Sequence, residues 1–287
     1  MVEIFKLCGM ITEKDFVDDE NYYNLNFTSN IKFDGERIMA KCENGEVILI
    51  NRNKRSCNGN FPEIVDELKK IKGNFIIDGE IISKDDDFNK LQKRALTKDK
   101  NKQKELIKEI PVCYMIFDIL KFEDINCKNS ELKIRIEKLK EFEELIKSKL
   151  VDEELIKVAE FLKPKEMYEK AKKENREGII IKRTDYTYRE GRFEDWKKLK
   201  FFEEEELEVI SYTKNNAGIR VEDSKGRAIQ INKHNEDCND VADVIDKEGK
   251  AIIIIQFLEK TADDKYRFPS FRGIKKLKLN DEENENE

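Results

Sequence analysis

Short apolar runs interrupted by single charged residues set the limits on what this chain can fold into. Segments 46–51, 75–82, 112–120, 178–182, 207–212, 228–232 and 251–258 are rich in isoleucine and valine and bounded by polar residues or glycine. That pattern describes strands. Between them lie amphipathic helical patterns. Residues 61–72 carry Phe61, Ile64, Val65, Leu68 and Ile71 on one face. Residues 129–149 open on Ser130 as the expected N-cap, and residues 163–174 place Pro164 in a first turn. The charged stretch 98–109 reads as a weakly packed helix. The fold class that follows is α+β.

Composition narrows the class further. Charged residues make up 41% of the 287-residue chain, as expected of a charge-covered globular protein. No apolar run reaches the ~20 residues a membrane-spanning helix needs, and the N-terminus lacks the basic-then-apolar order of a signal peptide. Six scattered cysteines without a Cys-x-x-Cys pair argue against a zinc site and fit free thiols in a reducing cytoplasm. A single histidine, His234, excludes His-rich metal sites. The net charge of −6 counts against a nucleic-acid binder, but its distribution is uneven. Acid collects at 203–206 and 281–287, whereas lysine and arginine crowd 52–55, 90–108 and 192–200. Local field governs binding to phosphates.

The acidic run at 203–206 marks a change of texture. Beyond it come short strands and turns with Gly218, Gly226 and Gly249, which suit a small barrel such as an OB-fold. The expected organisation is a first domain over 1–202, an OB-fold over 203–280 and a disordered acidic tail over 281–287.

Several polar islands in or beside these runs carry chemistry. In Lys32-Phe33-Asp34-Gly35-Glu36-Arg37 an Asp-Gly turn presents a lysine at a strand end. A lysine amine attacks phosphorus only when neutral, which is rare at pH 7 for an ordinary lysine. Read alone, the hexapeptide is weak evidence and is more simply a solvated hairpin turn. The other islands are Asp78-Gly79-Glu80, Phe117-Asp118, Glu177-Gly178 with Lys182, and Lys198-Leu199-Lys200. Strand alternation puts Asp78 with Glu80, and Lys198 with Lys200, on common faces. A carboxylate set so deep in apolar sequence needs a cation, a metal or a hydroxyl as partner.

In this order the islands resemble the motifs of the covalent nucleotidyltransferases: ATP-dependent DNA ligases, RNA ligases and mRNA capping enzymes. The hexapeptide from Lys32 resembles motif I, and Asn51-Arg52-Asn53 the short Ser-Arg motif with Asn for Ser. Phe88-Asn89-Lys90-Leu91-Gln92-Lys93-Arg94 and the sequence Arg267-Phe268-Pro269-Ser270-Phe271-Arg272-Gly273 are similar to segments of ATP-dependent DNA ligases in particular. Motif VI departs from the family at Lys275, where a second arginine is usual, and at Leu277, where an acid is usual.

The resemblance implies a minimal, core-only ligase, with a nucleotidyltransferase domain of ATP-grasp-like antiparallel sheets and flanking helices ahead of the OB-fold. It implies nicks sealed in duplex DNA through a lysyl-AMP on Lys32, with Lys198 and Lys200 at the α-phosphate. Ile31, Arg37, Glu80, Phe117, Glu177, Lys182 and Arg267 would bind the nucleotide, with Phe117 stacked on adenine and Arg37 and Glu80 on ribose. Arg52 would take the 5′-phosphate of the nick, and Glu177 and Glu80 would lie nearest Mg²⁺ or Mn²⁺. The expected partners are ATP and nicked duplex DNA, with the protein a cytoplasmic monomer. Two other readings stand beside this one: an RNA ligase with the same lysine chemistry, and a non-catalytic OB-fold binding protein carrying a decayed transferase domain.

Overall fold

A computed structural model describes residues 5–149, 152, 154–232, 235, 238–261 and 263–275. His234, Leu277 and the acidic tail lie outside the described residues. The chain divides into two compact units, Met1–Lys200 and Phe201–Glu287.

The first unit begins with β1 (Lys6–Ile11), α1 (Glu13–Asp18), α2 (Glu20–Asn26), β2 (Phe27–Ile31), β3 (Glu36–Glu43) and β4 (Glu46–Asn51). Next come α3 (Pro62–Lys69), β5 (Phe75–Ser83), α4 (Phe88–Leu96), α5 (Lys100–Glu109), β6 (Val112–Phe122) and β7 (Ile125–Asn126). It closes with α6 (Leu132–Ser148), β8 (Ile156–Val158), α7 (Pro164–Lys173), β9 (Gly178–Arg183) and β10 (Gly191–Lys200). One sheet runs β1-β10-β9-β2, and the other runs β4-β3-β5-β6-β7 with β8 beside β6. Most pairs are antiparallel; β1–β10 and β6–β8 are parallel.

Strand alternation explains why β5 and β6 read as nearly continuous apolar runs. Ile38, Ile77, Ile116 and Ile119 face a core shared with Ile64 and Leu68 of α3 and Leu139 and Phe142 of α6. Met39, Ile76, Phe117 and Leu120 face the other way, into a cluster with Phe5 and Trp196 that joins the two sheets. Both faces are covered, so both are apolar.

Charges inside these runs are paired. Arg135 on α6 grips Asp118 of β6 through Nε (2.7 Å) and Nη2 (2.9 Å), with both side chains fully buried. Removing one partner of such a pair strands the other in low dielectric. Arg135→Met should therefore lower unfolding stability by about 3–5 kcal/mol, measurable as a fall in the urea midpoint. An unchanged midpoint would contradict the account of Asp118 as a buried carboxylate held by Arg135.

Two sequence expectations need correction. Ser130 does not cap α6: Glu131 takes the N-cap position without a side-chain cap bond, and the Ser130 carbonyl accepts from Arg135 Nη1 at 2.7 Å. The 98–109 stretch is also better packed than its charge implied. Asp99 accepts from the amides of Asn101 and Lys102 to cap α5, which buries Gln103 and Leu106. The segment before it forms α4, whose Arg94 is fully buried, ion-paired with Glu63 and bonded to the carbonyls of Asn60 and Ile110. Arg94 thus works as a bolt between α4 and the start of α3.

The second unit comprises β11 (Glu203–Val209), β12 (Ser211–Asn215), β13 (Gly218–Glu222), β14 (Ala228–Asn232), α8 (Cys238–Glu248), β15 (Ala251–Phe257), β16 (Glu259–Lys260), β17 (Tyr266–Arg267) and β18 (Ser270–Ile274). Its three-stranded sheets run β11-β15-β18 and β12-β13-β14. Leu207, Val209, Val221, Ile229, Val241, Ile253 and Phe257 share one core. The acidic run is the outer part of β11: Glu206 and Glu208 point to solvent while Leu207 and Val209 point inward. Lys275 Nζ donates to both carboxylate oxygens of Glu206, at 2.9 and 2.8 Å. No helix among the described residues is long and apolar enough to cross a membrane.

Candidate active site

Lys32 directly follows β2, and its amide donates to the Gly178 carbonyl at 2.9 Å. That bond ties the lysine to the start of β9, so Glu177, one residue earlier, stands beside it. Two glycines make the approach possible. A Cβ on Gly35 would lie 2.1 Å from the Ile81 carbonyl oxygen, and one on Gly178 would lie 2.0 Å from that of Leu199. Gly178 also adopts φ +156°, a conformation L side chains rarely take.

Lys32 Nζ donates to Glu177 Oε2 at 2.5 Å, and Lys200 Nζ contacts Oε1 at 2.7 Å. The Glu177 side chain is only 7% exposed. Burial pushes its carboxyl up, but the Lys32 ammonium and the bonds from Lys200 and Lys32 outweigh burial and hold it below the usual carboxylate range. Burial, reinforced by neighbouring Lys200, lowers Lys198. Two lysines thus share one carboxylate, with Lys198 beside them on β10.

Lys32 and Lys198 border a cleft of about 240 Å³; Glu177 and Lys200 are not among its lining residues. Ile31, Lys32, Arg37, Arg52, Glu80, Phe117, Lys182 and Lys198 all line it. Arg37 lies against the floor rather than reaching freely inward. Its Nε and Nη2 donate to Asp78 at 3.1 and 2.6 Å, and Nη1 donates to the Lys6 carbonyl at 2.5 Å. Burial alone would lower its pKa; the Asp78 carboxylate more than reverses that. Lys182 is buried, 4.4 Å from the ring centroids of both Phe117 and Trp196, and donates to the Phe117 carbonyl at 3.3 Å. Burial pulls it down to about 7, against the opposing pull of Asp118. Arg267 belongs to the second unit, where it pairs with Glu259 at 2.7 Å.

Burial raises Glu80 to about 8, with Arg37 and Lys32 only partly opposing it. The folded protein therefore holds this proton more tightly than the unfolded chain, whose value is near 4.5. That contribution to stability is complete below pH 4.5 and is lost as pH climbs toward 8. Lys182 works in the other window: its contribution is present above 10.5 and is lost as pH falls through about 7. Between pH 5 and 7 Lys182 is mostly charged in both states, so of these two groups it is chiefly Glu80 that makes stability depend on pH there. Glu80→Gln should then melt at the wild-type temperature at pH 4.5 and several degrees higher at pH 7. Parallel melting curves at both pH values would remove the assignment.

Several cleft residues were missed from sequence. Leu7 and Cys8 of β1, Asn30, Arg192 and Trp196 also line it. Asn30 is 1% exposed, and its Oδ1 has no hydrogen-bond partner among the described residues. A buried acceptor without a donor is costly, and here it borders a cavity that a ligand could enter. The only local signal was an asparagine two residues before Lys32, inside the largely buried strand Phe27–Ile31. Among the described residues no group of three His, Cys, Asp or Glu converges to hold a metal ion. Glu177 and Glu80 therefore have no third carboxylate to complete a cage.

The family described as ATP dependent DNA ligase domain matches residues 17–200, more than half of the chain, and the protein belongs to that family. The DNA ligases of Saccharolobus shibatae and Saccharolobus solfataricus are 27% and 28% identical over 162 residues, 53% of this chain. The chain spans about a quarter of the length of these curated relatives, 26% in each case. Among solved structures, Pmar-Lig_Pre is 20% identical with a TM-score of 0.72, covering 96% of this chain and 68% of its own. A Lig E DNA ligase, described as binding DNA with a minimal scaffold, is 17% identical with a TM-score of 0.66 over 96% of this chain and all of its own. Chlorella virus DNA ligase-adenylate is 16% identical with a TM-score of 0.55, again covering 96% and 100%. At these identities the structures speak for the fold alone.

Proposed function

We propose that this chain is an ATP-dependent DNA ligase that seals 5′-phosphate/3′-hydroxyl nicks in duplex DNA. The observation that carries the reading is Lys32 at the edge of a nucleoside-sized cleft, with Glu177, Lys198 and Lys200 around it and Phe117, Glu80 and Asn30 lining the interior. In this reading 203–280 forms an OB-fold.

Three phosphoryl transfers follow. The neutral Lys32 amine forms an N–P bond to the α-phosphate of ATP, the bond to the β-phosphate oxygen breaks, and pyrophosphate leaves. Glu177, already in contact with Lys32 Nζ, is the nearest acceptor for the amine proton. The 5′-phosphate oxygen at the nick then takes AMP from Lys32, and the 3′-hydroxyl displaces AMP to join the strand. Such steps ask the protein mainly for positioning and charge stabilisation. Lys198 and Lys200 supply charge at the α-phosphate. Phe117 offers a stacking face for adenine, and Glu80, held neutral up to about pH 8, can both donate to and accept from ribose hydroxyls. Arg37 shapes the floor, while Lys182 positions the base from among its aromatic rings.

Magnesium keeps most of its waters and favours one or two carboxylates plus substrate phosphates. Glu177, held ionised, fits that modest part, whereas Glu80, held neutral, does not; the metal would enter as Mg·ATP, part of the substrate, and would supply charge neutralisation at the phosphates.

The deciding experiment presents nicked duplexes of DNA, RNA and mixed strands with ATP. Sealing of the DNA nick supports the reading; sealing confined to RNA would move the protein to the RNA ligases.

A further inference from the structure

We infer that Tyr188, which lies outside the cleft lining, is a positioning residue for nucleotide binding; the inference rests on the ATP reading above. Tyr188 is 2% exposed. Its hydroxyl donates to Asp78 Oδ2 at 2.8 Å and accepts from the Lys6 amide at 3.1 Å. Arg37 Nη2 approaches the same oxygen at 3.5 Å. One hydroxyl thereby ties the segment ahead of β10 to β1, β3 and β5.

The geometry shows what that junction holds. Asp78 and the Lys6 carbonyl are the two acceptors that fix the Arg37 guanidinium. The guanidinium carbon lies 5.3 Å from the Phe117 ring centroid and 5.7 Å from that of Trp196. Tyr188 also sets its own ring edge-on to Trp196, with centroids 6.0 Å apart at 89°. Phe117, Trp196 and Arg37 all line the cleft. Tyr188 therefore governs the seat for the base through Arg37 and Trp196, without touching the reacting atoms.

Loss of the hydroxyl removes a donor to Asp78 and an acceptor for the Lys6 amide. Asp78 Oδ2 is left to Arg37, and β1 is left with a buried amide lacking its acceptor. The guanidinium then has reason to move off the Lys6 carbonyl, and the floor under Phe117 shifts. Ground-state binding of ATP weakens, while Lys32, Lys198 and Lys200 stay in place.

The test is Tyr188→Phe in the full chain, measured by self-adenylation across a range of ATP concentrations. The apparent KM for ATP should rise about five- to tenfold, the scale of one buried hydrogen bond, with the rate at saturation changed less than twofold. Tyr114→Phe is the matched control. Its hydroxyl is also buried and donates to the Ile38 carbonyl at 2.9 Å, but the residue does not line the cleft. It should lower the melting temperature and leave KM within twofold. An unchanged KM in Tyr188→Phe, or an equal rise in Tyr114→Phe, would overturn the inference. ATP affinity measured by calorimetry in a Lys32→Ala background reads the same shift without turnover. Wild-type protein that binds ATP but takes no label would contradict the adenylation reading and leave the Tyr188 inference testable by that affinity. Protein that does not bind ATP at all would remove both.

Discussion

Lys32→Ala protein incubated with α-labelled ATP and magnesium will carry no label, while the wild-type chain becomes covalently adenylated. The expectation rests on position more than on residue type. Lysine and arginine supply 56 of the 287 residues, yet few share the setting of Lys32. It stands at a strand end, its amide is bonded to Gly178, its ammonium rests on Glu177, and the cleft opens beside it. Lys198 and Lys200 flank the same region, but each belongs to β10 and faces the phosphate path proposed above. Replacing the nucleophile therefore removes the acceptor atom of the first transfer, and no neighbour is placed to substitute. Adduct on the Lys32→Ala protein, detected by gel or mass spectrometry, would refute the assignment. Labelling by GTP in preference to ATP would shift the protein toward the capping enzymes.

Arg52→Ala should divide the reaction in two. Its residue sits in the turn after β4, where Asn51 Oδ1 accepts from the amides of Asn53 and Arg55 at 3.1 Å. That Asx-type arrangement holds the turn without using the arginine side chain. Arg52 is exposed at the cleft wall, well suited to an incoming phosphate. A guanidinium fork matches a phosphate dianion, and its loss should slow nick sealing on the order of 10- to 100-fold. Self-adenylation should stay within about twofold of wild type, because the proposed mechanism leaves the α-phosphate to Lys198 and Lys200. Equal loss of both steps would show that Arg52 acts on ATP, and its assignment to the nick would fall.

The strands whose sequence departs most from average were the easiest to read. β5 and β6 are buried on both faces, so their apolar character is nearly unbroken, and Pro164 marked the start of α7. β1 and β3 were not singled out because neither keeps a clean period. β1 contains a fully buried lysine, Lys6, ion-paired with Asp195 of β10, and no local pattern announces a partner so distant in sequence. Ser130 misled because its residue type suits a cap, whereas the helix starts one residue later, with Glu131 at the N-cap and the Ser130 carbonyl taken by Arg135 of the same helix.

The site follows the same logic. Glu80 and Lys182 could be picked out because each interrupts or ends an otherwise apolar run, whereas Lys32, Phe117 and Lys198 were legible only through the order of the motifs. Two things were hidden. Arg37 looked like a ligand-binding arginine, yet its donors are engaged by Asp78 and Lys6, a fact visible only once β1 docks. The shared grip of Lys32 and Lys200 on Glu177 depends on two close backbone approaches, which glycines at 35 and 178 permit but do not reveal.

The parallel pairing of β1 with β10 has a consequence for how the protein comes to exist. Lys6 is separated from its partner Asp195 by 189 positions, so the wall bearing Leu7 and Cys8 is closed by residues from opposite ends of the unit. Closing so long a loop is entropically costly, and contacts of this span slow folding. A chain emerging from the ribosome has made Lys32 long before it has made Trp196 and Lys198. Until synthesis passes β10 there is no finished cleft, and Lys32 stands in a half-built sheet. If Lys32 carries AMP as proposed, this topology would delay its loading until the rest of the domain has been made.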